Sequence, residues 1–304
     1  MPKRRYVIMR RYLPTRGELA HYMMKSTATV QANLDFRDEP DMGRKLRASM
    51  GLSSLVTALF ANSPGGASVK GLPDVPASQL HRSWRWQVWR DTDPDRCGLL
   101  EWVFDGGDPT YERWVDYALD VPMFLLEKDG QIIDMAGRSF RSYAAQGFEG
   151  HEPVLGDWEL HLSTLFPDVR LKTYLEMRSA DCVPARLIPA LPALWKGLLY
   201  DGSALDAAWD LVKNWSFAER LEHRERACVS GLAAEIPGKR YGTQELVQEL
   251  LSIARSALPE AERSILDEVE HIASTGQTLA DATLGWLHGA TRTTADLIAH
   301  YEQQ

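Results

Sequence analysis

The residues best placed to do chemistry are a carboxylate and a guanidinium in the segment Leu171–Asp181, L-K-T-Y-L-E-M-R-S-A-D. The segment alternates apolar and polar residues as a β-strand does. Glu176 and Arg178 therefore project from one face, about 7 Å apart along the strand. A carboxylate and an arginine aimed into one cavity suit a site that holds a divalent cation beside a phosphate. The alternative is a solvated strand face with a weak ion pair, and the segment alone favours this second interpretation.

A second polar row lies on Ser26–Phe36, S-T-A-T-V-Q-A-N-L-D-F, which predicts another strand with one fully apolar face. The opposite face includes Gln31 and Asn33 and contains no Lys or Glu. Such a row of polar side chains is equally typical of the lining of a polar cavity and of a solvent-exposed strand face. The two strands are therefore predicted to lie on either side of a candidate site.

An arginine lies within a run of tryptophans at Trp84–Trp89, W-R-W-Q-V-W. Trp84 and Trp86 are two residues apart, which is the period of a β-strand, and Trp89 follows three residues later. In one interpretation they are an aromatic face packed in the core. In the other, Arg85 lies on the opposite face and points at an anionic ligand.

The elements that would position these residues form two regions. A helix is predicted from a cap at Asp38 to about Ala61, and the Gly- and Pro-rich segment Asn62–Gln79 is predicted to be a mobile loop and a candidate lid. Further strands are predicted at Leu99–Phe104 and Asp120–Lys128, with a hairpin turn at Asp129-Gly130 into Gln131–Asp134.

After the Leu171 strand the predicted elements are helices. Their start signals include Ser203 and the capping box of Ser216, and later helices are predicted over Thr243–Leu258, Glu262–Ser274 and Thr278–His300. The predicted class is α+β, with an antiparallel sheet in residues 1–185 and a helical region in residues 186–304 that packs on it as one unit.

Composition restricts the class of protein. The chain has 304 residues, 44% of them hydrophobic and 25% charged, with a formal net charge of −8, so we expect a globular protein that binds neither nucleic acid nor membrane. Its three cysteines and eight histidines lack disulfide or metal-ligand spacing. We expect no membrane span and no signal peptide, and therefore a cytoplasmic location.

Motifs for common reactions are missing from the sequence. It contains no G-x-x-x-x-G-K-[ST] phosphate loop, no G-x-G-x-x-G and no G-x-S-x-G. From residue types and spacing alone, the sequence predicts an α+β domain with a candidate polar cavity between the Ser26 and Leu171 strands.

Longer stretches of sequence carry a resemblance to a known family. The segments T-A-T-V-Q-A-N-L-D-F, W-R-D-T-D-P-D-R and D-W-E-L-H-L-S-T-L-F-P-D-V-R-L-K-T-Y-L-E-M-R-S-A-D resemble the glutamate–cysteine ligases of the plant and proteobacterial type. The resemblance implies the catalytic fold of the glutamine-synthetase-like carboxylate–amine ligases. It also implies that MgATP converts glutamate to a γ-glutamyl phosphate, which cysteine then attacks in the first step of glutathione synthesis.

The resemblance also implies roles for individual residues. By position, Glu176 matches a metal-binding glutamate and Arg178 a catalytic arginine that meets the transferred phosphate or the substrate. Arg85 matches an arginine that holds the α-carboxylate of glutamate. Further matches are Met23 and Met24 near the amino-acid pocket, with core packing as their alternative, and Gln31 and Asn33 on the metal–nucleotide side.

The sequence also departs from the family's pattern. Family members carry, before the position of Met1, a segment with the remaining metal-binding glutamates, so we expect a truncated relative whose missing carboxylates come from a second chain or from sequence upstream of Met1. Ser26 stands where an arginine is usual. Two alternatives therefore stay open: a catalytically weak or dead relative that acts as a partner or regulator, and an amide-forming ligase of specialised metabolism with an amine other than cysteine.

Overall fold

Helices dominate the structure, a computed structural model that describes residues 4–65, 80–288 and 292–303. The helices are α1 Arg4–Tyr12, α2 Ala20–Ser26, α3 Glu39–Leu59, α4 Trp84–Arg90, α5 Tyr111–Asp120, α6 Phe140–Gln146, α7 Leu155–Leu162, α8 Ala190–Leu199, α9 Gly202–Asp210, α10 Phe217–Ser230, α11 Thr243–Ala257, α12 Asp267–Thr275, α13 Leu279–Leu287 and α14 Thr294–Glu302. The strands are β1 Ala32–Leu34, β2 Cys97–Gly98, β3 Leu125–Lys128, β4 Gln131–Asp134, β5 Phe166–Pro167, β6 Val169–Leu171 and β7 Leu175–Met177. The predicted α+β class is confirmed.

The main sheet is small and antiparallel. Its strand order is β1-β7-β6, so β7 lies in the centre and pairs with both neighbours. β3 and β4 form a separate antiparallel hairpin, and β2 and β5 pair in parallel. Because Leu171, Leu175 and Met177 are buried against α3, the main sheet is anchored to the core through its apolar side chains.

Helix α3 is the central helix of the core. Asp38 caps it by accepting a hydrogen bond from the Asp41 backbone N–H at 2.9 Å, and Pro40 lies in its first turn, as predicted. Nearly every residue from Asp41 to Leu59 is buried. Asp41 and Lys45, one turn apart, form a buried ion pair at 2.9 Å, which keeps their charges compensated inside the protein.

Both of the predicted long strands are shorter in the structure. Only Ala32–Leu34 of the Ser26–Phe36 segment is a strand, because Ser26 ends α2 and the Thr29 hydroxyl donates to the Ala180 carbonyl outside any ladder. The Leu171–Asp181 strand is instead a tight hairpin, in which the Lys172 N–H donates to the Tyr174 carbonyl between β6 and β7. Residue periodicity alone does not reveal a reversal of the chain.

The tryptophan segment is a helix, so the predicted strand at Trp84–Trp89 is wrong. The Ser83 hydroxyl accepts from the Trp86 N–H and starts α4, and Arg85 is buried together with Trp86 and Val88. An N-cap signal thus outweighs the period-two pattern. The predicted strand at Leu99–Phe104 is likewise wrong, since Glu101–Val103 forms a 3₁₀ turn.

Several local predictions are confirmed. Asp129, with a positive φ of 51°, and Gly130 make the turn between β3 and β4, and the Ser216 capping box starts α10. The helix predicted at Thr278–His300 is two helices, α13 and α14, and α9 is capped by Asp201 rather than Ser203. Residues 66–79 of the predicted Asn62–Gln79 loop lie outside the described residues.

A single large apolar cluster joins the sheet to the later helices. Leu175 on β7 and Leu194 on α8 belong to the same cluster, together with Leu250 on α11. All described elements after residue 189 are helical, as expected. The division into residues 1–185 and 186–304 stays a prediction. None of the described helices combines the length and the apolar composition that a bilayer crossing requires.

Helices α8 and α11 approach each other closely at Gly197. A Cβ atom at this position would lie 2.8 Å from the carbonyl carbon of Ala254 on α11. No flexible side chain stands at that contact, so neither backbone can yield without moving its helix.

We therefore expect Gly197→Ala to lower the free energy of unfolding by about 2 kcal/mol, in spite of alanine's better helix propensity, because the packed helices must separate. Urea denaturation measures this change. Gly156→Ala in α7 is the matched control, because a Cβ there meets open space and the substitution should not destabilise. A Gly197→Ala protein as stable as the wild type would contradict the close approach.

Candidate active site

Glu176 lies at the centre of the main sheet and is paired with cations. Arg170 on β6 stands directly opposite it, and its Nη2 donates to both carboxylate oxygens at 2.8 and 2.9 Å. Arg178 donates from Nη1 at 2.5 Å, and the Lys172 ammonium lies 3.1 Å away. Burial alone would raise the pKa of Glu176, but the hydrogen bonds and charges of Arg170 and Arg178 lower it to about 2.

Arg178 follows β7 and connects this pair to an aromatic wall. Its guanidinium lies 5.5 Å from the ring centre of Trp89 and 5.6 Å from that of Phe166. Both rings present π-faces to a cation that is almost fully buried. Burial lowers the pKa of Arg178, and its hydrogen bond to Glu176 acts in the opposite direction.

Arg85 comes to the same place from α4. Its Nη2 donates to the Arg178 carbonyl at 3.0 Å, while its Nε is buried and has no hydrogen-bond partner among the described residues. No carboxylate of the described residues lies within 4.0 Å of this guanidinium, although only 5% of the residue is exposed. Burial lowers the pKa of Arg85, and the more distant Asp181 partly offsets this effect. Arg85 is thus a buried cation without an ion pair, which an incoming anion would complete.

A cavity of about 520 Å³ opens beside Arg85. Its wall combines the end of α2, the loop after α3, the start of α4 and the segment after β7. The lining residues are Ser26, Thr27, Ala28, Asn62, Ser63, Pro64, Trp84, Arg85, Cys182, Val183, Pro184 and Tyr301. Arg178 lies behind this wall, with Arg85 and Arg224, around a void of about 20 Å³.

The structure brings some of the predicted site residues together and places others elsewhere. Arg85, Arg178 and Glu176 are linked by direct hydrogen bonds, and Asn33 is the β1 partner of Glu176. Asn33 is exposed, as is Gln31, and neither lines the cavity.

The two methionines lie in a different environment. Met23 and Met24 pack against a small apolar cluster that includes Leu13 and Phe124, and they do not line the cavity. Their packing agrees with the alternative that they belong to the core.

The surroundings of Glu176 do not fit a magnesium ion. Its carboxylate oxygens already accept from two arginines, and a divalent cation there would face three positive side chains. No group of three His, Cys, Asp or Glu residues within the described ranges could hold a metal. The role of Glu176 as a metal ligand therefore stays a prediction from the resemblance.

Sequence reasoning did not identify two partners of this site. Arg170 pairs with Glu176 only because the chain reverses between β6 and β7, and a continuous strand would have separated them. Asp181 ends the same segment, and its partners Ser63 and Ser83 lie about a hundred residues earlier in the chain. Only the K-T-Y sequence at the turn hints at the hairpin, and it is not a strong turn signal.

These observations define a class of site. An α+β chain with an open cavity, a buried arginine without an ion pair and a second arginine behind it is suited to binding carboxylates or phosphates. The sequence profile described as glutamate-cysteine ligase family 2 matches residues 1–296, and the chain belongs to this family.

Relatives agree with that assignment. The chain is 43% identical over 295 residues to the chloroplastic glutamate–cysteine ligase of Nicotiana tabacum, an alignment that covers 95% of this chain and 54% of the tobacco protein. It is 43% identical over 295 residues to the Arabidopsis thaliana enzyme, with the same coverage, and 41% identical over 302 residues to that of Medicago truncatula, covering 97% and 57%. The chain thus spans about half the length of these relatives. Their chloroplastic names contradict the cytoplasmic location that we expected.

The buried Glu176 pairs predict a specific response to acid. The pKa of Glu176 is about 2 in the folded protein and 4.5 in an ordinary glutamate, so its contribution to stability is complete above pH 4.5 and lost as the pH falls toward 2. We expect the wild type to lose about 3 kcal/mol more than Glu176→Gln over this interval. Chemical denaturation at a series of pH values measures the difference.

Glu159→Gln is the control, because Glu159 is exposed on α7 and forms no ion pair with a described residue. Its pH curve should follow that of the wild type. Parallel curves for wild type and Glu176→Gln would show that the ion pairs do not stabilise the folded state.

Proposed function

We propose that this chain provides the glutamate-binding part of an ATP-dependent glutamate–cysteine ligase that forms γ-glutamylcysteine for glutathione synthesis. The observation that carries the proposal is its 43% identity over 295 residues to an enzyme of that name. The buried Arg85 beside an open cavity supports it, because an amino-acid substrate supplies the carboxylate that this cation lacks.

In this proposal Arg85 binds the α-carboxylate of glutamate. The cavity wall carries a hydroxyl group at Ser26, which can hydrogen-bond a polar ligand. The γ-carboxylate then attacks the terminal phosphorus of ATP and releases ADP. The amine of cysteine attacks the resulting acyl phosphate, which forms the amide and releases phosphate and a proton.

Arg178 has the second role. Its guanidinium is already fixed by Glu176 and by two aromatic rings, so it is held in one orientation before a ligand arrives. We propose that this preorganised charge stabilises the phosphate that is transferred. Glu176 then acts by holding Arg178.

Magnesium is the cofactor expected with ATP in this reaction, where it offsets phosphate charge. The described residues do not fit such an ion, so we propose that its carboxylate ligands come from outside them, on a second chain or on further sequence. No finding favours a regulatory partner or a different amine over the ligase reaction.

We expect the ligase reaction to depend on Arg85. With glutamate, cysteine and MgATP, Arg85→Gln should raise the KM for glutamate by the equivalent of about 2–4 kcal/mol and change the KM for ATP little. ADP release and mass-spectrometric detection of γ-glutamylcysteine measure the reaction. The assay uses the chain alone and the chain together with the part of the tobacco relative that the alignment does not cover.

Arg220→Gln is the matched control. Arg220 is also a buried arginine that forms no ion pair with a described residue, but it packs on Phe104 and Trp209 and does not line the cavity. Its loss should lower stability without raising the KM for glutamate. An unchanged KM in Arg85→Gln, or no ADP and no γ-glutamylcysteine under either condition, would contradict the proposal.

A further inference from the structure

Asp181 forms a buried hydrogen-bond network behind the cavity. Its Oδ2 accepts from the Asn62 backbone N–H at 2.9 Å and from the Ser63 hydroxyl at 2.7 Å. Its Oδ1 accepts from the Ser83 hydroxyl at 2.9 Å. Only 1% of the residue is exposed, so water does not compete for these bonds. Asp181 therefore ties together three segments that are far apart in the sequence.

The network reaches Arg85 through two serines. The Ser63 hydroxyl donates to Asp181 and accepts from the Arg85 backbone N–H at 2.9 Å. The Ser83 hydroxyl also donates to Asp181, and it caps the helix on which Arg85 lies. Both links act on the backbone at Arg85, so they fix the position of the Cα atom from which the arginine side chain extends.

The hydrogen-bond partners at this position and the charge of Arg85 favour an ionised carboxylate, although burial raises the pKa of Asp181. All three partners of the side chain are donors, and a carboxylate group offers acceptors only. Its negative charge also lies near enough to Arg85 to oppose the effect of burial on that cation. A neutral side chain would satisfy neither requirement in full.

We propose that Asp181 is a positioning residue that holds Arg85 at the cavity through Ser63 and Ser83. The positioning of Arg85 by Asp181 does not depend on the proposed function. The identity of the acid that Arg85 binds does rest on it. The alternative is an ordinary buried carboxylate that stabilises the fold, as Asp157 does with Lys128, Tyr143 and the Val154 N–H outside the cavity.

Cys182 offers a reporter of the cavity that does not require turnover. It is exposed and lines the cavity with Arg85, whereas Cys97 and Cys228 are buried. The ratio of its alkylation rates by iodoacetate and by iodoacetamide measures how strongly the local field attracts an anion. Arg85→Gln gives the ratio for a cavity without the cation. We expect this ratio to be about two- to five-fold lower than in the wild type.

Ser63→Ala and Asp181→Asn then distinguish a displacement of the Arg85 side chain from a change in the charge near the cavity. Ser63→Ala changes no charge, and we expect its ratio to fall toward that of Arg85→Gln. Asp181→Asn removes a negative charge, which by itself would raise the ratio, so a fall identifies displacement of Arg85. Asp157→Asn makes the same substitution outside the cavity and should leave the ratio at the wild-type value.

Protection of Cys182 from alkylation by L-glutamate tests whether the same residues affect ligand binding. Glutamate should slow alkylation of Cys182, and Asp181→Asn should need about ten-fold more of it, while Asp157→Asn should not. If glutamate protects no variant, the proposed acid site is wrong, and the rate ratio still decides the role of Asp181. Ratios at or above the wild-type value in both folded variants, Ser63→Ala and Asp181→Asn, would overturn the inference.

Discussion

The structure depends on keeping arginine side chains charged inside an acidic protein. Arg170 and Arg178 share one carboxylate, Glu176, at the centre of the main sheet, and this sharing compensates part of their charge. Among the described residues, the partners of Arg85 are a backbone carbonyl, the Trp89 ring 5.8 Å from its guanidinium, and the more distant Asp181 and Asp168. A buried guanidinium that is not paired destabilises the free protein, and in the proposed function the carboxylate of the ligand relieves this cost. The short strands and the start of α4 bring these cations together.

In the proposed function, this arrangement divides two tasks between two arginines. Arg178 is fixed by a carboxylate and two aromatic rings, and it lies behind the cavity wall. Arg85 is fixed through its backbone and lines the cavity, and its buried Nε has no hydrogen-bond partner among the described residues. A preorganised charge and an incomplete one suit, respectively, a transferred phosphate and a bound carboxylate. The half-length match to the relatives fits a site to which other residues also contribute.

Sequence signals that involve neighbouring residues, such as helix caps and turns, predict the local structure correctly. The Asp38 cap, the Asp129-Gly130 turn and the Ser216 capping box each involve groups a few residues apart. The prediction that Glu176 and Arg178 share a face is confirmed by their hydrogen bond. The Arg170 partner and the Asp181 network depend on chain reversal and on contacts across about a hundred residues, which periodicity does not encode. The helical Trp84–Trp89 segment shows that a cap can outweigh an alternating pattern.

The central claim is that Arg85 binds the α-carboxylate of an amino acid. Calorimetric titration with L-glutamate, L-glutamine and L-isoglutamine tests it most directly, because glutamine keeps the α-carboxylate and isoglutamine replaces it with an amide. We expect isoglutamine to bind at least about ten-fold more weakly than glutamine, since only isoglutamine leaves the buried cation unpaired. Equal binding of isoglutamine and glutamate would contradict it.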